Sequence, residues 1–488
     1  MFSFQVSGLQ NGPLFLRSLL IGMTLLVAGC TVGPDYRRPT LLLPETWSGS
    51  DAKDLARPAD LALWWKSFND PELNSLIERA IVNNKSVTIA QARVRQARAY
   101  LREKTATLSP AVSASSSATK TNTASSVLSA GEDDQFNSFS TGFSASWEVD
   151  LFGGKRRARE AAKYGLDASN EELRNTILVL IGDVAENYMQ ARAAQARTAL
   201  AARTAKSQRQ TALLTQRKHE SGSATIADAA RADAQAAMTE SDLPAYEIAR
   251  STAVNRLGVL LGLPPAALAT ELTSYEAIHH LNLPMRAGIP ADVLLTRPDV
   301  RMAERQLAQS NAKIGVAQAA RYPAISLTGS IASSAFHVSD FVKGSTIGWS
   351  VGPAITVPLF EAGRLKAAVD VAEASRDEAL AVYEASVLTA MEEVENAIIT
   401  LSQQRRRSEK LAKAVDAYRR ADKASKTLYE AGSITYLELL DGQRQLYAAE
   451  SSWIDSQLSA TTAYIALNKA LGGGWNGEIP NSMDAHRE

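Results

Sequence analysis

The sequence contains a single cysteine, Cys30, among 488 residues. One cysteine cannot form an internal disulfide, so no disulfide framework stabilises the fold. Aromatic residues make up only 6% of the chain, and the formal net charge is zero. A chain without an overall basic field is not expected to bind nucleic acid. No run of 18 or more apolar residues occurs, so the sequence predicts no membrane-spanning helix.

The amino terminus has the pattern of a secretory signal. Arg17 precedes a short apolar stretch, Leu19–Gly29, that ends in small residues directly before Cys30. The segment "VAGC", Val27–Cys30, resembles the lipobox of bacterial lipoproteins. That resemblance implies a signal peptide of residues 1–29 and a lipidated Cys30 carrying an S-diacylglycerol and an N-acyl chain, with no other cofactor. The alternative is an ordinary signal peptide with an incidental cysteine.

The remainder of the chain contains an internal repeat of about 210 residues, which indicates a duplicated architecture. The matching pairs are Leu108–Ser117 with Arg321–Ser330, Asp150–Arg159 with Pro358–Ala367, Glu220–Gln235 with Glu430–Gln445, and Leu260–Pro264 with Ala470–Gly474. All four occur in the same order in both halves, which chance similarity of alanine-rich helices does not readily produce.

Each half is predicted to run helix, strand pair, long helix, tight turn, helix. An extended lipidated segment, 30–65, precedes the repeats, and a tail, 476–488, follows them. The first repeat, 66–280, is predicted to contain a helix, a β-hairpin at about 110–151 and a helical hairpin at 155–262. The second repeat, 281–475, is predicted to contain a helix at 291–321, a β-hairpin at about 323–359 and a helical hairpin at 361–471.

The long helices, Lys155–Lys218 and Glu361–Glu430, show apolar residues at steps of three and four, which is typical of a coiled-coil seam. At 1.5 Å per residue the first helix would be roughly 95 Å long. A helix of this length needs partner helices along its course, so each is expected to fold back on itself. Gly222 and Gly432 are the predicted helix stops.

The returning helices need amino-terminal caps. Ser223 and Ser433, directly after the two glycines, are the predicted N-cap residues.

Two segments alternate between apolar and small polar residues, which indicates strands with two different faces. They are Phe139–Leu151 and Thr346–Leu359, and weaker partners precede them at Pro110–Thr121 and Pro323–Ala332. A soluble antiparallel sheet is one interpretation. The uncharged polar faces, the strand lengths and the lipobox favour a membrane β-barrel. Because four strands cannot close a barrel, the chain is then expected to share strands with further copies of itself.

Five local segments complete the pattern: "GPDYRRP" (Gly33–Pro39), "WWKSFNDPELNSLI" (Trp64–Ile77), "LLTRPDVRMAE" (Leu294–Glu304), "WEVDLFGGKRR" (Trp147–Arg157) and "VPLFEAGR" (Val357–Arg364). Together with the repeat and the lipobox, they resemble the TolC-like outer-membrane factors, in their lipoprotein branch. The resemblance implies a homotrimer in which three chains share a 12-stranded outer-membrane β-barrel above a periplasmic α-barrel. It also implies the exit duct of a tripartite efflux system, working with a periplasmic adaptor and an inner-membrane transporter.

Other functions stay open at this stage. Members of type I protein secretion systems share the architecture, and a lipid-anchored coiled-coil scaffold without a pore would also explain the cysteine and the helices. An enzyme is not predicted, because Gly472–Gly474 lacks the lysine and hydroxyl of a phosphate loop. The G-x-S-x-G pattern occurs once, at Gly348–Gly352, inside the predicted strand Thr346–Leu359 and not at the strand-to-helix turn that a nucleophile needs. The adjacent His279 and His280 are interpreted as linker residues rather than metal ligands.

The helix after Gly432 carries two acids, Glu438 and Asp441, three residues apart and therefore on one face. In a trimer whose tunnel is lined by this face, they would form two acidic rings that favour cations. The family resemblance implies that this stretch forms the periplasmic gate. It also implies that the turns Ser221–Thr225 and Ala431–Thr435 are tips that meet the adaptor.

The resemblance further implies a contact between the two hairpins. Tyr429 matches a tyrosine that bonds to a carboxylate of the first-repeat hairpin, and Asp228 occupies that carboxylate position. A basic residue found in some members two places after the glycine is replaced here by Ile434, so Arg231 is proposed as its substitute.

Overall fold

The computed structural model describes residues 31–40, 44, 46–47, 61–122, 135–273, 297–341 and 343–474. The chain divides into two compact units. The sheet unit comprises the described residues of Met1–Pro39, Val94–Ala168 and Ala303–Tyr383. The hairpin unit comprises those of Thr40–Arg93, Ser169–Met302 and Glu384–Glu488. Cys30, the signal segment 1–29, the histidine pair and the tail 476–488 lie outside the described residues.

Helices dominate the described residues. They are α1 (Pro71–Asn83), α2 (Lys85–Ala106), α3 (Gly154–Glu220), α4 (Ile226–Leu260), α5 (Pro298–Ala319), α6 (Arg364–Glu430) and α7 (Tyr436–Ala470). Within the described part of the chain, none of them combines the length and apolarity that crossing a membrane requires.

The internal repeat is confirmed residue by residue in the helical hairpins. The helices α3 and α6 each have 67 residues, and α4 and α7 each have 35. Every bound in the second pair lies 210 residues after its counterpart. The weakest sequence match, Leu260–Pro264 with Ala470–Gly474, also corresponds in the structure. A glycine of similar conformation follows each of α4 and α7: Gly262 has a φ of +70° and Gly472 a φ of +76°.

The predicted seams of the long helices are buried. In α3, the seam residues Leu173, Ile177 and Val184 are 2% exposed or less. In α6, Val394 and Ile398 are fully buried. The predicted start of the second long helix at residue 361 is wrong by three residues, because Ala362 and Gly363 adopt positive φ angles of +49° and +84° that no helix accommodates.

The four strands are β1 (Ala111–Asn122), β2 (Gln135–Val149), β3 (Ala324–Ala335) and β4 (Ile347–Thr356). They form one antiparallel sheet in the order β1-β2-β3-β4, so β1 and β4 are its edges. The predicted extension of the last strand to Leu359 is wrong. Pro358 has no backbone N–H to donate to a ladder, and β4 ends two residues before it.

The sheet has two chemically distinct faces. One row across all four strands consists of serines, Ser113, Ser144, Ser330 and Ser350. Hydroxyls in this row pair at 2.8 Å between Ser113 and Ser144 and at 2.9 Å between Ser330 and Ser350. The adjacent row is apolar, and its members are Ala114, Phe143, Ile331 and Trp349. The predicted alternation is therefore confirmed.

Two of the sequence segments anchor the hairpin unit. Asp70, in the "DPEL" segment, caps α1 by accepting the backbone N–H of Leu73 and also accepts a 2.6 Å hydrogen bond from Tyr188. Arg297, in the "RPDV" segment, donates to the carbonyl of Ala470 at 3.0 Å, so it satisfies an orphan carbonyl at the end of α7. Both motifs therefore fix helix ends.

The "GPDYRRP" segment is docked within the sheet unit. The Val32 N–H donates to the Phe152 carbonyl at 3.1 Å, and the Tyr36 hydroxyl donates to Glu304 at 2.6 Å. The buried Arg157 binds the carbonyls of Val32 and Gly33. Residues 31–36 are thus held beside the start of α3.

Candidate functional site at the helical hairpin tips

The two hairpin turns share one backbone conformation. In the first turn, the Gly222 N–H donates to the His219 carbonyl at 2.8 Å, and the Ser223 N–H donates to Lys218. The second turn repeats both bonds from Gly432 and Ser433. This is the Schellman arrangement, and the positive φ angles of +75° and +77° explain why glycine occupies both positions. The predicted stops at Gly222 and Gly432 are confirmed.

The predicted N-caps are wrong. The caps are Thr225 and Thr435, two residues later than Ser223 and Ser433. Ser223 and Ser433 lie too early in the chain, since their backbone N–H groups close the preceding helices and the next helices begin only at Ile226 and Tyr436. Each threonine forms a reciprocal capping box with the third residue of its helix, Asp228 in α4 and Glu438 in α7.

Both predicted gate carboxylates lie where expected on α7, but their environments differ. Glu438 is exposed, and its Oε2 accepts from the Thr435 N–H at 2.8 Å and from the Thr435 hydroxyl at 3.0 Å. Asp441 is exposed one turn further along the helix. Glu438 therefore stabilises the start of α7 in addition to carrying a charge.

Tyr429 does join the two hairpins, although through a partner that the sequence did not indicate. Its hydroxyl pairs at 2.8 Å with the hydroxyl of Thr215 on α3, which in turn donates to the Thr211 carbonyl. Asp228 is instead engaged with Thr225, so the implied Tyr429–Asp228 bond is not formed in this chain. Burial raises the pKa of Tyr429, and the charge of Asp228 adds to this shift.

Lys218 provides a second link between the tips. Its ammonium group donates to the backbone carbonyl of Tyr429 and lies 4.2 Å from the centre of the Tyr429 ring. It thus combines a charge-assisted hydrogen bond with a cation–π contact. Arg231, the proposed substitute for a basic latch, approaches Asp228 of its own helix at 3.7 Å. In the single chain the basic residue that contacts the other hairpin is therefore Lys218 rather than Arg231.

A small apolar cluster completes the tips. Tyr429 packs edge-to-face on Tyr436 with ring centres 6.1 Å apart, and Leu439, Ala212 and Ala232 are buried around them. Burial, then the neighbouring Tyr429 and the charge of Asp228, raises the pKa of Tyr436 to about 12. The two tips are therefore one packed unit.

Sequence reasoning missed Thr215, Lys218 and Tyr436. Thr215 and Lys218 lie three residues apart on α3, so they share a helix face, but nothing in their spacing identifies the hairpin they contact. Tyr429 and Tyr436 stand on either side of the Gly432 turn. Two aromatic residues across a tight turn were the one signal in the sequence that could have predicted their contact.

The chain matches the family model of the outer membrane efflux proteins over residues 76–263 and again over 289–473. The chain belongs to this family. The two matched segments correspond to the two repeats, so each half of the chain matches the family model separately.

Individual relatives in the outer membrane efflux protein family match along nearly the whole chain. The pyoverdine export outer membrane protein OpmQ of Pseudomonas aeruginosa is 32% identical over 469 residues, covering 94% of this chain and 97% of that protein. The cation efflux system protein CusC of Escherichia coli O6:H1 is 30% identical over 456 residues, covering 93% and 97%. The solved outer-membrane channel OprN superposes with a TM-score of 0.85 at 32% identity, covering 91% of this chain and all of OprN.

Proposed function

We propose that this protein is the outer-membrane exit duct of a tripartite efflux system, which conducts substrates passively from an inner-membrane transporter and a periplasmic adaptor. Membership of the outer membrane efflux protein family over both repeats is the observation that carries the proposal. The structure adds what a duct requires: two long helical hairpins and a sheet whose faces differ in polarity.

The sheet supports a trimer that shares one barrel. Its apolar row lacks protein cover in the single chain, with Phe143 62% exposed and Trp349 75% exposed. Among the described residues, each of its edge strands, β1 and β4, pairs with a single neighbouring strand. Open edges are not tolerated in lipid, so neighbouring chains pair β1 with β4. Three chains then give twelve strands, with the serine rows facing the lumen and the apolar rows facing lipid.

Aromatic pairs at both ends of the sheet fit the two interfaces of a membrane. Phe136 and Phe336 lie edge-to-face at one end, and Phe152 stacks on Tyr322 at 4.7 Å at the other. At about 3.3 Å per residue and a tilt of about 45°, the path from Tyr322 to Phe336 rises roughly 33 Å. Barrels of this kind carry an apolar band about 25 Å tall between aromatic girdles, so the spacing fits.

The docked "GPDYRRP" segment supports lipidation at Cys30. Thr31 lies against Gly153, so close that a side chain at Gly153 would meet the Thr31 methyl at 2.7 Å. Thr31, the residue that directly follows Cys30 in the sequence, thus lies beside Gly153 at the end of the sheet that carries Phe152. A lipid on Cys30 would enter the membrane at the aromatic girdle on the helical side of the barrel. The acyl chains therefore serve as a second anchor, with the barrel as the first.

The packed hairpin tips form the periplasmic gate. In the trimer, Glu438 and Asp441 give six carboxylates in two rings about one helical turn apart along the tunnel. The Schellman turns around Gly222 and Gly432 are the outermost points of the hairpins and are the surface offered to the adaptor. The printed names of OpmQ and CusC refer to a siderophore and to cations, so the family likeness does not select one substrate for this chain.

A matched pair of strand variants tests the duct. Phe143→Lys places a charge in the lipid-facing row, at a cost of about 2–4 kcal/mol per chain at mid-membrane. Ser144→Lys places the same charge in the lumen-facing row. We expect Phe143→Lys to abolish heat-modifiable trimers in outer membranes, and Ser144→Lys to assemble and form channels of altered selectivity in planar bilayers. If both lysine variants assemble equally well, the proposed barrel is wrong. If the wild-type protein assembles but conducts no ions, the proposed duct is wrong.

A further inference from the structure

The two helical hairpins build the same ion pair. Arg209 on α3 binds Glu240 on α4 at 2.6 Å, and Arg419 on α6 binds Glu450 on α7 at the same distance. Each member of the second pair lies 210 residues after its counterpart in the first. The repeat therefore preserves side-chain contacts as well as helix bounds, so a contact made by one hairpin indicates where its counterpart can form.

Within the chain, the middle of α3 packs against the middle of α7. Leu200 and Ile454 belong to one buried apolar cluster, and Arg203 binds Glu450 at 3.3 Å. Glu450 is therefore held from two sides, by Arg419 of its own hairpin and by Arg203 of the other.

The counterparts of this contact are left open. On α6, Lys413 takes the place of Arg203, and it is exposed. On α4, Glu240 takes the place of Glu450. Among the described residues, Glu240 is bound only by Arg209 of its own hairpin. The position that Arg203 fills beside Glu450 is thus unfilled beside Glu240.

The loss of cover extends along both helices. Leu178 on α3 is 6% exposed, whereas its counterpart on α6, Leu388, is 67% exposed. Tyr436 at the start of α7 is 4% exposed, whereas its counterpart on α4, Ile226, is 65% exposed. One side of α6 and one side of α4 are therefore bare, although the equivalent sides of α3 and α7 are buried.

The two bare sides carry opposite charge. Residues 406–413 of α6 contain four bases and one acid, whereas residues 232–249 of α4 contain four acids and no base. The bases are all exposed, and none pairs with a carboxylate within the described part of the chain: Arg406, Arg407, Lys410 and Lys413. The acids are Asp233, Glu240, Asp242 and Glu247. Opposite charges on two surfaces favour their encounter and fix their register.

Both surfaces are bare in the same chain, so each needs a second molecule, and the repeat identifies that molecule as another copy of this chain. We propose that residues 406–413 of α6 in one copy dock on residues 232–249 of α4 in the next, and that Lys413 joins Arg209 on Glu240 across this contact. The contact uses a different surface on each copy, so it is heterologous, the kind of interface that builds rings. It rests on the proposed trimer and adds a helical interface to the paired sheet edges.

A charge swap tests the contact. Lys413→Glu sets two carboxylates against each other between copies, Glu240→Lys sets two bases against each other, and the double variant restores opposite charges. Glu240→Lys also loses its bond to Arg209, so the coupling between the two substitutions is the informative quantity. Native mass spectrometry of detergent-purified assemblies measures the dissociation rate. We expect the double variant to dissociate about tenfold or more slowly than the two single effects together predict.

Lys423→Glu is the matched control for the charge reversal. It reverses another exposed base of α6, at a position whose counterpart on α3, Leu213, is itself 58% exposed. Because the repeat places no contact at this position, Lys423→Glu should leave the dissociation rate at the wild-type value.

Cysteine pairs test the register without reversing a charge. Arg407→Cys with Ala245→Cys occupies the counterparts of Arg197 and Asp455, which bind each other at 2.9 Å. A short bismaleimide should therefore join neighbouring copies through this pair. The control, Arg407→Cys with Ala234→Cys, moves one thiol by about 16 Å along α4 and should give no cross-linked copies.

The outcomes separate this contact from the trimer itself. If assemblies form but the charge swap shows no coupling, or if both cysteine pairs cross-link equally, the helical contact is wrong while the trimer stands. If the purified wild-type protein contains only one copy, the helical contact and the proposed trimer are wrong together.

Discussion

Replacing the two tip carboxylates by their amides tests the gate without disturbing the fold. The double variant is Glu438→Gln with Asp441→Asn. Glutamine is chosen because it can replace glutamate in the capping box with Thr435, whereas alanine would also remove the cap and destabilise α7 by about 1 kcal/mol. The variant therefore removes charge and leaves the helix start in place.

The size of the effect follows from Coulomb's law. At about 10 Å from the tunnel axis, one carboxylate lowers the energy of a monovalent cation by about 0.4 kcal/mol in water. Six carboxylates in a trimer, screened at about 0.1 M salt, amount to about 0.9 kcal/mol. An anion is disfavoured by the same amount, so the cation-to-anion permeability ratio should be about 20. At about 1 M salt screening should bring the ratio close to one.

Reversal potentials in planar bilayers under a salt gradient measure this ratio directly. We expect the double amide variant to lose most of its cation selectivity at low salt while retaining the wild-type Tm. The control is Glu430→Gln, which removes an exposed carboxylate from the same tip but on α6 and should keep the selectivity. If the double variant is as cation-selective as the wild type, these carboxylates do not line the constriction and the gate assignment is refuted.

Three further predictions concern the hairpin unit. Arg297→Met should lower the free energy of unfolding by about 2 kcal/mol, because it leaves the Ala470 carbonyl and two carboxylates without their donor; a Tm within error of wild type would contradict this. Gly432→Ala should cost about 1–2 kcal/mol through its positive φ alone, since nothing lies within 4 Å of the added methyl group, and denaturation of purified protein measures it; a neutral result would mean that the turn relaxes. The pKa of Tyr436 is raised to about 12. The protonated Tyr436 side chain therefore makes its full contribution to the free energy of unfolding below pH 10, and this contribution is lost as the pH rises from 10 towards 12. An ultraviolet difference titration of wild type against Tyr436→Phe should show this late phenolate, and ionisation at an ordinary pH near 10 would contradict the buried tip.

The long helices and the sheet were predictable because their patterns are periodic. Apolar residues at steps of three and four identified α3 and α6 to within a few residues, and alternation identified β2 and β4. The break between α1 and α2 at Asn84 was not predicted. There the Asn84 side chain donates to the Leu260 carbonyl at 2.8 Å, a contact across 176 residues that local sequence does not encode.

The candidate site was only partly predictable for the same reason. The glycine turns and the acids on α7 follow from short-range spacing. The threonine caps were missed because serine has the higher N-cap propensity and stands nearer the glycines, and only the observed helix starts identify the cap residues. The pairing of Tyr429 with Thr215 depends on which helix faces which, and helical periodicity alone leaves that open.

The central claim is that three copies of this chain close one barrel through their free sheet edges. An electron cryo-microscopy structure of the detergent-extracted protein tests it most directly. We predict three chains and twelve strands, with β1 of each chain hydrogen-bonded to β4 of the next and the serine rows lining a continuous lumen. A particle in which β1 and β4 remain unpaired, or in which the serine rows face the detergent, would contradict the account.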